Sequence, residues 1–271
     1  MTDAAALPGQ PRGGVLSGPA TARAVNVLAP NASVMTLDGT NTWIVSEPDS
    51  DLAVVIDPGP LDDVHLRGVV HTAERAGKRV ALTLLTHGHP DHAEGAARFA
   101  ELTRTNVRAL DPPLRLGDEG LGAGDVISVG GLELRCRAHP RAHRRLALLP
   151  PPGRPAPFLT GRHGPRRGTT VVAHPDGRLG EYLDSLRRLR SSRSTTECTP
   201  SCPATAPSWT DAQGAVEFYL AHRAHRLAQV ETAVENGHRT PARSSPTSYA
   251  DVDPLPVAGR GTLACGHNWS T

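Results

Sequence analysis

The residues in this chain best suited to chemistry are His87, His89, Asp91 and His92. They lie in the run Leu84-Leu85-Thr86-His87-Gly88-His89-Pro90-Asp91-His92. Three imidazoles and a carboxylate so close together are ligands that zinc takes. His87 and His89 stand two apart in an extended turn and can face one ion. Asp91 and His92 can face a second ion beside it. Gly88 lets the backbone approach closely, and Pro90 stiffens the turn. The bland alternative is an exposed polar loop with chance histidines, and the density of ligands argues against it.

Such a loop needs rigid elements on either side. Thr42–Val45, Ala53–Ile56 and Val80–Leu85 are β-branched and alternating, which predicts strands, the last running into the histidine loop. Leu61 to Ala76 predicts a helix, with Asp62 and Asp63 near its positive N-terminal end. Ala93–Leu102 predicts another, directly after the loop. Asp125–Leu134 predicts a hairpin turning at Gly130-Gly131. Leu179–Arg190 has an apolar face of Leu179, Tyr182, Leu183, Leu186 and Leu189. Ala212–Asn236 carries a long helical pattern with Gly237 as its C-cap. This order fits a layered α/β domain with a helical tail.

The bulk composition bounds the answer. The chain has 271 residues, 38% of them hydrophobic but only 3% aromatic, so the core must be built from Ala, Val and Leu. A formal charge of +2 does not by itself point to nucleic acid. The 4 cysteines form no disulfide framework, which favours a reducing compartment. No apolar run is long enough to cross a membrane, and no apolar stretch follows Arg12 as in a signal peptide. The expectation is a cytoplasmic protein with no membrane partner. Residues 1–20 have no period and predict a flexible leader.

The loop resembles the His-x-His-x-Asp-His signature of the metallo-β-lactamase superfamily. Thr36-Leu37-Asp38-Gly39-Thr40-Asn41-Thr42-Trp43 is similar to that family's early strand pair, and Val55-Ile56-Asp57-Pro58-Gly59 to its Asp-Pro-Gly turn. More narrowly, Arg167–Val172, Asp176-Gly177, Tyr182–Leu186 and Ala221-His222-Arg223 with Arg226 resemble the lactamase-beta-2-like branch. The resemblance covers roughly residues 25–136, 167–190 and 210–241. It implies an αββα sandwich over residues 21–210 and a small helical, winged-helix-like region over 211–271. It also implies two zinc ions at one end of the sandwich. His87 and His89 would hold one zinc. Asp91 and His92 would hold the other, with Asp91 orienting the nucleophile. Asp57 would brace the metal loop from behind.

The family also has three further ligands. They are a His in Thr-Pro-Gly-His-Thr, an Asp after Leu-Thr-Gly, and a His in Pro-Gly-His-Gly; none stands in this sequence. From Arg137 to Pro157 every residue is one whose codon can begin with C or G. From Ser191 to Trp209 every residue but Glu197 can have C or G as its second codon base. In a GC-rich gene that bias belongs to the third base, so a slipped reading frame accounts for both stretches. Read one base on, His139-Pro140-Arg141-Ala142-His143-Arg144-Arg145-Leu146 becomes Thr-Pro-Gly-His-Thr-Ala-Asp. Arg162-His163-Gly164-Pro165-Arg166, after Leu159-Thr160-Gly161, becomes Asp-Thr-Val-Leu-Gly. Read two bases on, Ser201–Trp209 becomes Leu-Pro-Gly-His-Gly-Pro-Val-Leu. On this reading 137–166 and 191–209 are disrupted and lack regular packed structure, and the final residues are shifted as well. The alternative is a divergent protein with Arg- and Pro-rich loops, in which His139 or His143 could substitute for a missing ligand.

Other residues carry less. Cys198 and Cys202 have knuckle-like spacing but no second pair. His174 precedes a Pro-Asp-Gly turn. His222, His225, Arg223 and Arg226 read as a solvated basic face, with a substrate or RNA contact as the alternative. Three functions follow. The first is a zinc-dependent hydrolase of a small ester or thioester. The second is a metal-dependent endoribonuclease holding RNA on the basic tail. The third is a catalytically dead product of a frame-disrupted sequence.

Overall fold

Alternate residues of two short strands point into two different cores, and this alternation sets the layering. The structure, a computed structural model, describes residues 17–33, 36, 38–139, 145–149, 158–160, 179–191, 201–203 and 212–237. The first sheet runs in the order β1 (Gly18–Thr21), β2 (Ala24–Leu28), β3 (Asn41–Val45), β4 (Leu52–Ile56), β5 (Arg79–Leu84) and β6 (Val107–Arg108). Trp43, Val45, Val54, Ile56, Leu82 and Leu84 share one core with Ile127, Leu132, Leu134 and Cys136. Ile44, Ala53, Val55 and Val80 share another with Leu66, Val69, Ala73 and Phe99. The first group is the seam between two sheets. The second is the seat of the helices α1 (Asp63–Arg75) and α3 (Ala96–Thr103). Each fully buried Leu, Ile or Val contributes roughly 1.5–3 kcal/mol by leaving water.

The second sheet holds β7 (Val126–Val129), β8 (Leu132–His139), β9 (Arg145–Leu149), β10 (Phe158–Thr160) and β11 (Ser201–Pro203), in the spatial order β11-β10-β9-β8-β7. β7 and β8 turn at Gly130 and Gly131, whose φ of 53° and 83° suit a tight two-residue hairpin. The expectation of no regular structure over 137–166 and 191–209 is corrected for 137–139, 145–149, 158–160 and 201–203; nearly all the rest of both stretches lies outside the described residues. β8 continues to His139, and β9, β10 and β11 all lie inside those stretches. β9 pairs antiparallel with β8 from Arg135↔Leu149 to His139↔Arg145. A strand is held by main-chain hydrogen bonds to its neighbour and needs no side-chain period of its own. β8 offers the template, because Leu132, Leu134 and Cys136 anchor its first half in the core. Pro203 is tolerated because β11 is, among the described residues, an edge strand.

Smaller departures have local causes. β1 begins at Gly18, within the stretch expected to be leader, and pairs antiparallel with β2. The helix expected over Ala93–Leu102 is split into α2 (Pro90–Ala93) and α3. The break falls at Gly95, whose N–H goes to the Gly59 carbonyl at 3.0 Å. A Cβ at Gly95 would stand 2.7 Å from the Pro60 carbonyl oxygen, so the backbones approach closely there. α4 (Leu179–Arg190) forms where the apolar stripe predicts it, with Tyr182 and Leu186 buried. It contacts α5 (Ala212–Glu235), which ends at Gly237 with φ 85° as expected. α5 is the described part of the C-terminal region. Among the described residues, no helix is long and apolar enough to cross a membrane.

Candidate metal centre

β4 and β5 are parallel, with Ile56 opposite Leu84, so the residues that follow each strand emerge side by side. In open α/β sheets this carboxyl edge is where ligands bind. Asp57 comes directly after β4, and its N–H donates to the Leu84 carbonyl at 2.9 Å. Its φ of 51° is left-handed, a conformation that Asp tolerates better than most residues. The turn aims its carboxylate toward the loop after β5. There Oδ1 accepts the Thr86 N–H at 2.7 Å. Oδ2 accepts the Thr86 hydroxyl at 2.6 Å and His92 Nδ1–H at 3.1 Å. From behind, the Thr42 hydroxyl donates to the Asp57 carbonyl at 2.8 Å and lies 3.0 Å from His65 Nε2. Burial holds His65 below the ordinary imidazole range, partly opposed by Asp62 and the Pro58 carbonyl.

The histidines then converge. The His87 ring lies 4.7 Å from that of His89 and 4.3 Å from that of His92, centroid to centroid. His87 and His92 are buried, while His89 and Asp91 are half-buried. The Thr86 hydroxyl and the rings of His89 and His92 lie against His87. Pro90 occupies the first turn of α2, with His89 as its N-cap, and α2 carries Asp91 and His92. Asp91 Oδ2 sits 3.1 Å from His92 Nε2, an ion-pair contact without hydrogen-bond alignment. The Thr40 hydroxyl reaches the same oxygen at 3.4 Å. Asn31 fixes Thr40 in turn, with Oδ1 accepting its N–H at 2.8 Å and Nδ2 donating to its hydroxyl at 3.0 Å. The main chain closes the unit, with Gly59 N–H donating to the His92 carbonyl at 3.2 Å.

This donor set fits a divalent cation. Asp57, His87 and His92 each offer a ligand atom within 4.8 Å of the others, all buried. Asp57 is the least available of the three, because both its oxygens already accept hydrogen bonds from Thr86 and His92. Burial alone would lower the His92 pKa, but Asp57 and Asp91 outweigh it and push it up to about 9. The proton on His92 stabilises the metal-free fold fully below the ordinary value of 6.5, and that contribution is lost as pH rises through about 9. A cation at Nε2 must displace the proton. Metal affinity is therefore expected to rise by about tenfold per pH unit from about pH 7 toward 9, with proton release on binding. Chelator competition across that range checks this, and a flat profile contradicts it.

The sequence expectation placed His87, His89, Asp91 and His92 together, and the structure brings them to one edge with Asp57 beneath them. Thr86, Thr40 and Asn31 were not singled out. The signal for Thr86 was its place between the buried strand and the first histidine. His139 ends β8, while His143, Arg162, His174, Cys198 and Ala204 lie outside the described residues. Cys136 is a free thiol in the sheet core, and burial with Asp125 nearby pushes its pKa up to about 12. The solvated basic face on the tail is corrected for two of its members. Arg223 and Arg226 are buried, on the same stripe of α5 as Val216 and Tyr219. The Arg223 guanidinium lies over the Tyr182 ring at 5.5 Å, and Arg226 donates to Gln229 at 2.8 Å. Long apolar stems let arginines pack in this way. His225 remains exposed.

The family model of the metallo-beta-lactamase superfamily matches residues 35–187, more than half of the chain. The chain belongs to that superfamily. The lactamase-like protein adaB of Aspergillus niger is 26% identical to it over 229 residues, which is 84% of this chain and 68% of that protein. A Paecilomyces divaricatus protein, the atrochrysone carboxyl ACP thioesterase AgnL7, is 28% identical over 222 residues, 79% of this chain and 65% of its own length. This superfamily member spans about two thirds of the length of those relatives. Among solved structures, a beta-lactamase domain protein from Burkholderia ambifaria superposes with a TM-score of 0.70 at 16% identity, covering 93% of this chain and 86% of that one. A metallo-beta-lactamase family protein from Thermus thermophilus gives 0.65 at 17% identity, covering 90% and 92%. These two likenesses are of fold, and they match the α/β sandwich described above.

Proposed function

We propose that this superfamily member is a zinc-dependent hydrolase acting on a small ester or thioester, with weak zinc binding and slow turnover in the chain as it stands. The observation that carries the proposal is the convergence of His87, His89, Asp91 and His92 at the carboxyl edge of β4 and β5, over a carboxylate already saturated by Thr86 and His92. Imidazole and carboxylate donors suit zinc. When bound, the metal supplies Lewis acidity and a water ionised near neutral pH. His87 and His89 would hold one ion; Asp91 and His92 would hold the other. Asp91, tethered by Thr40, would orient the attacking water toward the substrate carbonyl. Asp57 stays behind the loop and keeps His92 and Thr86 in place. The thioester preference is supported by the relatives named as acyl-carrier-protein thioesterases. The RNA reading loses support, because Arg223 and Arg226 are packed within the fold and not displayed on the surface.

The test is metal uptake together with hydrolysis of a short acyl thioester, followed by release of thiol. We expect thiol release to be abolished by chelator and by His87→Ala, with metal affinity reduced in the same variant. Hydrolysis that persists in chelator, or metal bound equally well by His87→Ala, would defeat the proposal.

A further inference from the structure

We propose that Thr86 is a positioning residue that fixes the tautomer of His87, so that Nδ1 carries the ring proton and Nε2 is the nitrogen offered to a ligand. The inference rests on the reading of His87 as a metal ligand and goes beyond it to the residue that makes it one. A threonine hydroxyl has one proton and two lone pairs. Asp57 Oδ2, 2.6 Å away, belongs to a carboxylate that can only accept, so the hydroxyl proton is committed there. Asp57 Oδ1 holds the main-chain N–H of the same residue at 2.7 Å, so one carboxylate grips Thr86 at two points. The hydroxyl is therefore not free to rotate. What it presents to His87 Nδ1, 2.9 Å away, is a lone pair. Nδ1 must then be the donor, and Nε2 is left with its lone pair.

Without this device the ring would choose otherwise. A neutral imidazole in water prefers its proton on Nε2, which would block that nitrogen as a ligand. Burial strengthens the constraint, because Thr86 is 2% exposed and His87 4%, and a misplaced proton there would have little water to satisfy it. Asp57 thus acts on two histidines at once. It accepts a hydrogen bond from His92 Nδ1–H directly, and it orients His87 through Thr86, whose hydroxyl it accepts from. Ring nitrogens that bind metal are commonly set by the hydrogen bond made at the opposite nitrogen.

The experiment is long-range proton–nitrogen NMR of the histidine rings in metal-free protein, at a pH where His87 is neutral, beside zinc affinity by chelator competition. Wild type and Thr86→Ser should show His87 protonated on Nδ1. The isosteric Thr86→Val should move the proton wholly or partly to Nε2 and weaken zinc binding by about 10–100-fold. Thr86→Ser should stay within a few-fold of wild type. Wild-type His87 protonated on Nε2 overturns the proposal whatever the variants do, so it can be judged even if Thr86→Val fails to fold. A folded Thr86→Val that keeps the Nδ1 proton overturns it as well. If the tautomer shifts as described but zinc affinity is the same in all three proteins, the role assigned to Thr86 stands, and it is the metal role of His87 that fails.

Discussion

Asp57→Ala is expected to destabilise the fold by about 3–5 kcal/mol, the usual cost of removing one partner from a buried ion pair. Asp57 is 1% exposed and serves three donors, the Thr86 N–H, the Thr86 hydroxyl and His92 Nδ1. Alanine leaves all three facing a cavity. His92 is fully buried, so water cannot replace the lost acceptor. Alanine is also strained by the left-handed φ of 51°, which costs an ordinary L-residue about 1–2 kcal/mol. Asp57→Asn separates the two effects. Asparagine accepts the backbone conformation but must aim an NH2 group at one of the three donors. It should fall between wild type and alanine. Urea unfolding of the metal-free proteins measures the difference. A loss below about 1 kcal/mol for alanine would mean that the network is not holding the loop.

Restoring three segments is expected to change activity more than any single substitution. These are Thr-Pro-Gly-His-Thr in place of His139–His143, Asp-Thr after Leu159-Thr160-Gly161, and Pro-Gly-His-Gly within Ser201–Trp209. The chain carries four of the seven ligands that the family resemblance implies. His87 with His89, and Asp91 with His92, leave each ion two protein ligands, whereas a catalytic zinc normally has three and a water. Arg162 brings a fixed positive charge where a carboxylate is implied, and Ala204 offers no lone pair. Thr160 and Pro203 are register partners in parallel β10 and β11, and Arg162 and Ala204 follow two and one residues later in the sequence. The unrestored chain should bind zinc weakly and turn over slowly. The restored chain should hold two zinc ions tightly, with turnover raised by at least about 100-fold. Elemental analysis and thioester hydrolysis before and after restoration decide it. Two tightly held zinc ions in the unrestored chain would refute the frame-shift account, and His139, His143 or another residue would then complete the site.

What could be read from the sequence follows from how each element is held. β3, β4, β5, α1 and the hairpin at Gly130-Gly131 fall within a residue or two of expectation, because each has a buried face or a turn that only certain residues allow. The four ligand residues were legible because their chemistry is dense in sequence. β9, β10 and β11 were not, because their ladder bonds draw on backbone that any residue supplies. The burial of Arg223 and Arg226 was hidden too, since helical spacing does not say whether a charged face meets water or Tyr182. Thr86 stood in plain view, but its role depends on Asp57, and that bond spans 29 residues.

The brace under the metal loop also bears on the order in which the protein is made. Every hydrogen bond of Asp57 runs to a residue between Thr42 and His92. The tether on Asp91 runs through Thr40 to Asn31. All of these partners are therefore synthesised before any residue beyond His92. The separations involved, 29 and 35 residues for Asp57 to Thr86 and His92, close quickly compared with contacts across a whole domain. A slip of the reading frame after Cys136 would leave Asp57, Thr86 and His92 in the chain with the same bonding partners for one another.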